Sequence, residues 1–211
     1  MPPAIAQETM THGGASAREV FRQNLPEPDA FLHMPDFDEL YETYAEFVWR
    51  NARQLGVAEA ALDDVVQDVF LVVHRKHGAL TAPNLLRPWM YSIVIRVVRD
   101  YRRRLRRKSP HERHAAPPTE PDALADVRSG SPLSYAEHAD AVRLLGRILS
   151  ELDDEKREAF VLAELEEMTE NEIAEVLGEN VNTIHSRLRA ARIKFDQAVL
   201  RYRSRDEWRL K

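Results

Sequence analysis

The chain has 211 residues, 44% hydrophobic and 31% charged, with 12 prolines, 7 glycines and no cysteine. That length holds one mid-sized domain or two small ones, and the lack of cysteine excludes disulfides, thiolate zinc sites and cysteine nucleophiles. The net charge of −5 is segregated: Arg87–Lys108 carries nine Arg/Lys and one acid, Asn182–Arg205 carries seven against Asp196, and Glu151–Asn180 between them holds twelve acids against Lys156 and Arg157.

Two basic blocks in an acidic chain predict two separate contacts with a polyanion. No apolar run approaches the roughly 20 residues of a membrane span. The N-terminus also lacks the charged-then-apolar layout of a secretory signal. The expectation is a soluble cytoplasmic protein without membrane insertion, metal or cofactor.

In chain order, residues 1–35 mix Pro, Gly, Ala and Thr with little periodicity and read as a poorly ordered extension. Phe37, Leu40, Tyr41, Tyr44, Phe47, Val48 and Leu55 then recur at three-and-four spacing and make one apolar helix face. After a break at Gly56, Leu62, Val65, Val66, Val69, Phe70 and Val73 form a second stripe. The segment Gly78–Pro88 contains prolines and ends that helix. Met90, Ile93, Val94, Val97, Val98 and Tyr101 form a third stripe that runs into the arginine block. These elements make a first domain over residues 36–108.

Residues 109–136 are rich in Pro, Ala, Ser, Asp and His, without a sustained period, and read as a linker. About 26 residues of random coil span on the order of 25–30 Å, so the two lobes are expected to move independently. A second domain, 137–205, opens with a helix marked by Val142, Leu145, Leu149 and Leu152. The next is marked by Phe160, Val161, Leu162 and Leu165, with Asp153, Asp154 and Glu155 at its positive end. No strand of period two is present. The fold class is all-α, two small helical domains joined by a flexible linker.

The end of the second domain reads as a helix-turn-helix. Thr169-Glu170-Asn171-Glu172 fits a capping box, and Ile173, Ala174 and Leu177 give the short helix an inward face. Gly178 stands where the turn after a helix favours positive φ. Val181, Ile184, Leu188, Ala191 and Phe195 are the inward stripe of a second helix. Its outer face presents Asn182, His185, Ser186, Arg189 and Arg192. A helix of that width fits the major groove. Arg189 suits a guanine edge there, and Asn182, His185 and Ser186 suit bases or phosphates.

These residues resemble a known family. Leu152-Asp153-Asp154 through Phe195, with Glu172–Gly178 and Val181–Leu188, is similar to the fourth conserved region of sigma factors. Phe37–Tyr41, Asp63-Asp64-Val65-Val66-Gln67-Asp68-Val69-Phe70 and Leu86-Arg87-Pro88-Trp89-Met90-Tyr91 resemble the second region, in the same order and spacing. With two lobes, the chain resembles the extracytoplasmic-function group of the sigma-70 family.

The resemblance implies partners and roles. Core RNA polymerase would dock on Asp64, Gln67 and Asp68, whose face meets the clamp helices in the family. The minus-ten element of promoter DNA would meet the loop before the third helix, with Leu80 and Asn84. Along that helix, Tyr91, Arg96, Arg99 and Arg103 would follow the melted strand. The minus-thirty-five element would meet Asn182, His185, Ser186, Arg189 and Arg192. Many relatives carry Asn where Arg96 stands, and some carry Arg where His185 stands. Many relatives are restrained by an anti-sigma factor.

Two other readings compete. A conventional helix-turn-helix regulator would bind DNA without polymerase, but its sensor lobe would not need the basic third helix. An enzyme reading rests only on His111-Glu112-Arg113-His114, whose spacing departs from the helical zinc motif by one residue.

Overall fold

The computed structural model describes residues 35–76, 78, 85–108 and 142–209, all helix, turn or short connection. The linker 109–136, the extension up to residue 34, and Leu80 and Asn84 lie outside the described residues. Helix α1 spans Phe37–Gln54 and opens with a capping box. Asp36 Oδ1 accepts from the Glu39 amide at 2.9 Å, and Glu39 Oε2 accepts from the Asp36 amide at 3.0 Å. A single 3-10 turn, Glu59–Ala61, leads into α2, Leu62–Lys76. Helix α3 spans Leu86–Lys108.

The three helices pack on one another through the predicted stripes. Leu40, Tyr44, Phe47 and Val48 of α1 meet Val65, Val69, Phe70 and Val73 of α2 and Met90, Val94 and Val98 of α3 in one buried cluster. Edge-to-face rings fasten it, with Phe37 against Phe70 at 6.4 Å and Phe47 against Tyr91 at 4.8 Å. Tyr41, expected inside, is 49% exposed, with only its ring edge on Phe70.

The second lobe begins with α4, residues 142–150. Helix α5, Asp154–Phe160, is N-capped by the Asp153 side chain, which accepts from the Lys156 amide. It continues into a wider π turn, Val161–Leu165, closed by the Glu166 amide reaching back to the Val161 carbonyl at 3.2 Å. Helices α6, Glu170–Leu177, and α7, Val181–Arg209, complete the lobe. Phe160 stacks on Phe195 at 4.7 Å and ties α5 to α7.

The lobes are in contact, which a flexible linker did not lead one to expect. Helix α3 packs against α6, and the hydrophobic cluster runs without a break from one lobe to the other. The reason lies in α3, which buries more than one face. Tyr91 and Ile95 are as inaccessible as Met90 and Val94. Arg87, Tyr91, Ile95, Arg99 and Arg102 follow one line along the helix at three-and-four spacing, and this line faces the second lobe.

Gly56 shows how close the approach is. Its φ of +91° lies in the left-handed region, and a Cβ there would stand 1.9 Å from a guanidinium nitrogen of Arg157. Arg157 is not free to yield. It donates to the carbonyls of Leu149 at 2.7 Å, Leu152 at 3.1 Å and, across the lobes, Leu55 at 3.4 Å. Gly56→Ala should therefore lower the unfolding free energy by about 1–3 kcal/mol, whereas Gly78→Ala, with open space around it, should change it little. Urea unfolding of both variants decides this. Equal stability would remove the Arg157 contact from the account.

Candidate nucleic-acid and polymerase interface

The helix-turn-helix is built as its residue pattern predicts. Thr169 Oγ1 accepts from the Glu172 amide at 3.3 Å, and Glu172 Oε2 accepts from the Thr169 amide at 2.7 Å and the Thr169 hydroxyl at 2.8 Å. Gly178 closes α6 in the left-handed conformation at φ +69°. Asn180 then caps α7 by accepting from the Asn182 amide at 2.9 Å. Ile173, Ala174 and Leu177 of α6 and Ile184, Leu188 and Ala191 of α7 are buried, which fixes the face that α7 turns outward. Val181, expected inside, is 37% exposed at the helix start.

Asn182, His185, Ser186, Arg189 and Arg192 are all exposed on that outer face. Their environments differ. His185 Nδ1 lies 3.2 Å from a carboxylate oxygen of Glu170, on the first helix of the motif. Ser186 donates its hydroxyl to the Asn182 carbonyl at 3.0 Å, leaving its lone pairs available. Arg192 is paired with Glu164 at 2.8 Å. Arg189 forms no ion pair with the described residues.

Glu170 escaped the sequence reading because it sits fifteen residues before His185. The signal was its position at the start of the first helix, which crosses the start of the second. With Nδ1–H donating to the Glu170 carboxylate, neutral His185 presents Nε2 as an acceptor.

The residues expected to meet polymerase, Asp64, Gln67 and Asp68, all lie on α2. Asp64 and Gln67 are exposed, opposite buried Val65 and Val69. Asp68 is half-buried and paired with Arg104 of α3 at 2.9 Å. The pair edges a shallow groove lined by Leu71, Val72, Arg75, Val97 and Asp100.

The expected minus-ten face of α3 is divided. Arg96 is exposed and forms no ion pair with the described residues, and Arg103 is exposed and paired with Asp100. Tyr91 must be corrected: it is fully buried, packed on Phe47, with its hydroxyl beside Glu166. Burial first, and then the Glu166 charge, hold that hydroxyl well above the usual tyrosine range, so Tyr91 is a core side chain in this arrangement of the lobes. Arg99 is held by Glu158, with Nη2 to Oε2 at 2.7 Å and Nε to Oε2 at 3.1 Å.

Among the described residues no group of His, Asp or Glu is arranged to hold a metal ion, and no helix is long and apolar enough to cross a membrane. His111 and His114 lie outside the described residues.

The capping box makes the motif sensitive to acid. The amide and hydroxyl of Thr169 hold the Glu172 carboxyl below its usual range. A depressed carboxylate pKa contributes stability above its unfolded value, about 4.3, and loses it as pH falls through the folded value. Thr169→Ala should cost about 1 kcal/mol near neutrality, and the difference from the unsubstituted chain should shrink below about pH 4. Urea unfolding across that range is the check. A difference independent of pH would assign the effect to the threonine alone.

The chain's relatives fit this geometry. A family model for sigma-70 region 2 matches residues 40–108, and one for sigma-70 region 4 matches residues 143–195. The chain is 28% identical over 158 residues to the RNA polymerase sigma factor NccH of Alcaligenes xylosoxydans xylosoxydans, covering 75% of this chain and 83% of that one. It is 30% identical over 159 residues to the ECF RNA polymerase sigma factor SigM of Mycobacterium tuberculosis, covering 75% and 74%. Among solved structures, the sigma factor RpoE in complex with the anti-sigma factor NepR from Bartonella quintana superposes with a TM-score of 0.62 at 18% identity, over 78% of this chain and 96% of that one. CnrH in complex with the cytosolic domain of CnrY gives 0.53 at 24%, over 87% and 96%. At such identities the solved structures speak for the fold, while the region matches and the relatives place the sequence: this chain belongs to the extracytoplasmic-function group of the sigma-70 family of RNA polymerase sigma factors.

Proposed function

We propose that this sigma factor brings promoter specificity to core RNA polymerase through three separate surfaces. The observation that carries the reading is the α7 face, where five polar side chains stand outward on one side of a helix whose other side is buried. Asn182, His185, Ser186 and Arg189, near the helix N-terminus, suit base edges in a major groove, and Arg192 lies farther along, toward the phosphates. Asp64 and Gln67 form the acidic face for the polymerase clamp helices, and Asp68 joins them by exchanging Arg104 for a partner cation. Arg96 and Arg103 offer cations to the melted strand, with Arg99 added when Glu158 releases it. The loop with Leu80 and Asn84 completes the minus-ten reading.

The protein acts in the cytoplasm as a non-catalytic subunit. One protein of the same fold has been solved with an anti-sigma factor, NepR, and another with the cytosolic domain of CnrY, and we propose a restraining anti-sigma partner here. The conventional-regulator reading is not favoured, because both sigma regions match in order along one chain.

Charge reversal at Asp64 together with Gln67→Lys should abolish co-purification with core polymerase while leaving helical content unchanged. A folded double variant that still assembles would remove the clamp assignment.

Readout by α7 is tested by selecting binding sites from a randomised upstream element with holoenzyme. Arg189→Ala and His185→Ala should each relax one position, worth about 1–3 kcal/mol of discrimination. Glu170→Ala should relax the same position as His185→Ala, since it fixes the imidazole. Arg192→Ala should weaken all sequences alike. Identical selected motifs for the unsubstituted chain, His185→Ala and Arg189→Ala would move specificity to DNA shape.

A further inference from the structure

The basic helix α3 is expected to meet nucleic acid, yet four of its arginines, Arg87, Arg99, Arg102 and Arg106, are engaged by the second lobe. Arg99 and Arg102 converge on Glu158, whose carboxylate is 2% exposed, with Arg102 Nη1 at 2.8 Å from Oε1 and Arg99 Nη2 at 2.7 Å from Oε2. Arg102 also lies 3.4 Å from Asp154 and donates to the Leu55 carbonyl. Four helical turns earlier, Arg87 Nη2 meets Glu166, also 2% exposed, at 2.9 Å from its carbonyl oxygen and 3.1 Å from its carboxylate. Forked guanidinium contacts to a carboxylate use the same donors that bind phosphate.

We infer that Glu158 and Glu166 form a cis-acting site that occupies Arg87, Arg99 and Arg102 of α3 in place of nucleic-acid phosphates, so that the free chain is closed and withholds Arg99 from its minus-ten face while Arg96 and Arg103 stay exposed. The two ends of the latch sit on α5 and just beyond its π turn, so one rigid element presents both carboxylates. The inference rests on the promoter reading for what the latch excludes, but not for the latch itself.

Geometry requires the latch to open. Minus-ten and minus-thirty-five elements lie about 25 base pairs apart, on the order of 80 Å at about 3.4 Å per base pair. Two lobes of about 70 residues each, roughly 30 Å across, do not reach both while in contact. Opening leaves each carboxylate and each arginine hydrated or bound to a new partner, so it demands no unfolding of either lobe. Polymerase and promoter would supply the competing charges.

The chain has no cysteine, so fluorophores can be placed by Glu42→Cys and Gln197→Cys, both exposed positions. Energy transfer in the free full chain should report one short distance, and Glu158→Gln with Glu166→Gln should convert it to a broad, longer distribution. Arg99→Glu, read by distance alone, gives a second route to opening through the more exposed arginine. The Gln pair should also bind a single-stranded oligonucleotide about tenfold more tightly if the open form is about a tenth of the free population. A control with the same charge change at exposed acids, Asp38→Asn with Glu175→Gln, should leave the distance short and the binding little changed. A long distance in the unsubstituted chain, or a short one in both folded latch variants, overturns the latch. Opening without a gain in oligonucleotide binding over the control overturns the masking.

Discussion

The carboxylate of Glu158, buried between the guanidinium groups of Arg99 and Arg102, governs how the two halves of this protein relate. A carboxylate taken out of water needs compensating charge and hydrogen bonds. Among the described residues its hydrogen bonds come from Arg99 and Arg102, on α3 of the first lobe. The same holds for Glu166 and Arg87. Arg157 adds the reverse contact, a second-lobe guanidinium satisfying the Leu55 carbonyl at the end of α1. These contacts fix where the helix-turn-helix sits against the basic helix, and they explain why Gly56 and not a larger residue occupies the seam.

Buried ion pairs are poor sources of net stability, since desolvation offsets most of the attraction, yet removing one partner alone destabilises by about 3–5 kcal/mol. That asymmetry suits a joint that holds one arrangement and yields to a competing polyanion. It also separates two kinds of arginine on one helix. Arg96 is exposed and without an ion pair among the described residues, whereas Arg99 and Arg102 are held until the lobes part.

Much of the architecture was legible in residue spacing. The capping boxes at Asp36 and Thr169, the left-handed Gly178 and the inward line of Ile184, Leu188 and Ala191 all follow from local chemistry that needs no distant partner. For the same reason the outward placement of Asn182, His185, Ser186, Arg189 and Arg192 was recoverable. The seam between the lobes was not. Periodicity shows that a helix has a buried face but not that a second face is covered by another lobe. Residues Ile93, Val94, Ile95, Val97 and Val98 are too apolar for one stripe, and that excess was the available sign that α3 buries two sides. Tyr91 was misplaced through the same oversight. No spacing within the acid block pointed to the partners of Glu158, because they lie more than fifty residues away in the chain.

On the proposed reading, the exposed α7 face and the acidic α2 face of the two matched regions combine into one activity only when polymerase is present. Run-off transcription on genomic DNA with core polymerase, with and without this chain, tests that dependence most directly. The account predicts discrete start sites that appear only when the chain is added and that share paired upstream elements at constant spacing. Unchanged transcripts, with the chain alone protecting specific sites on duplex DNA, would contradict it and make the protein a conventional regulator.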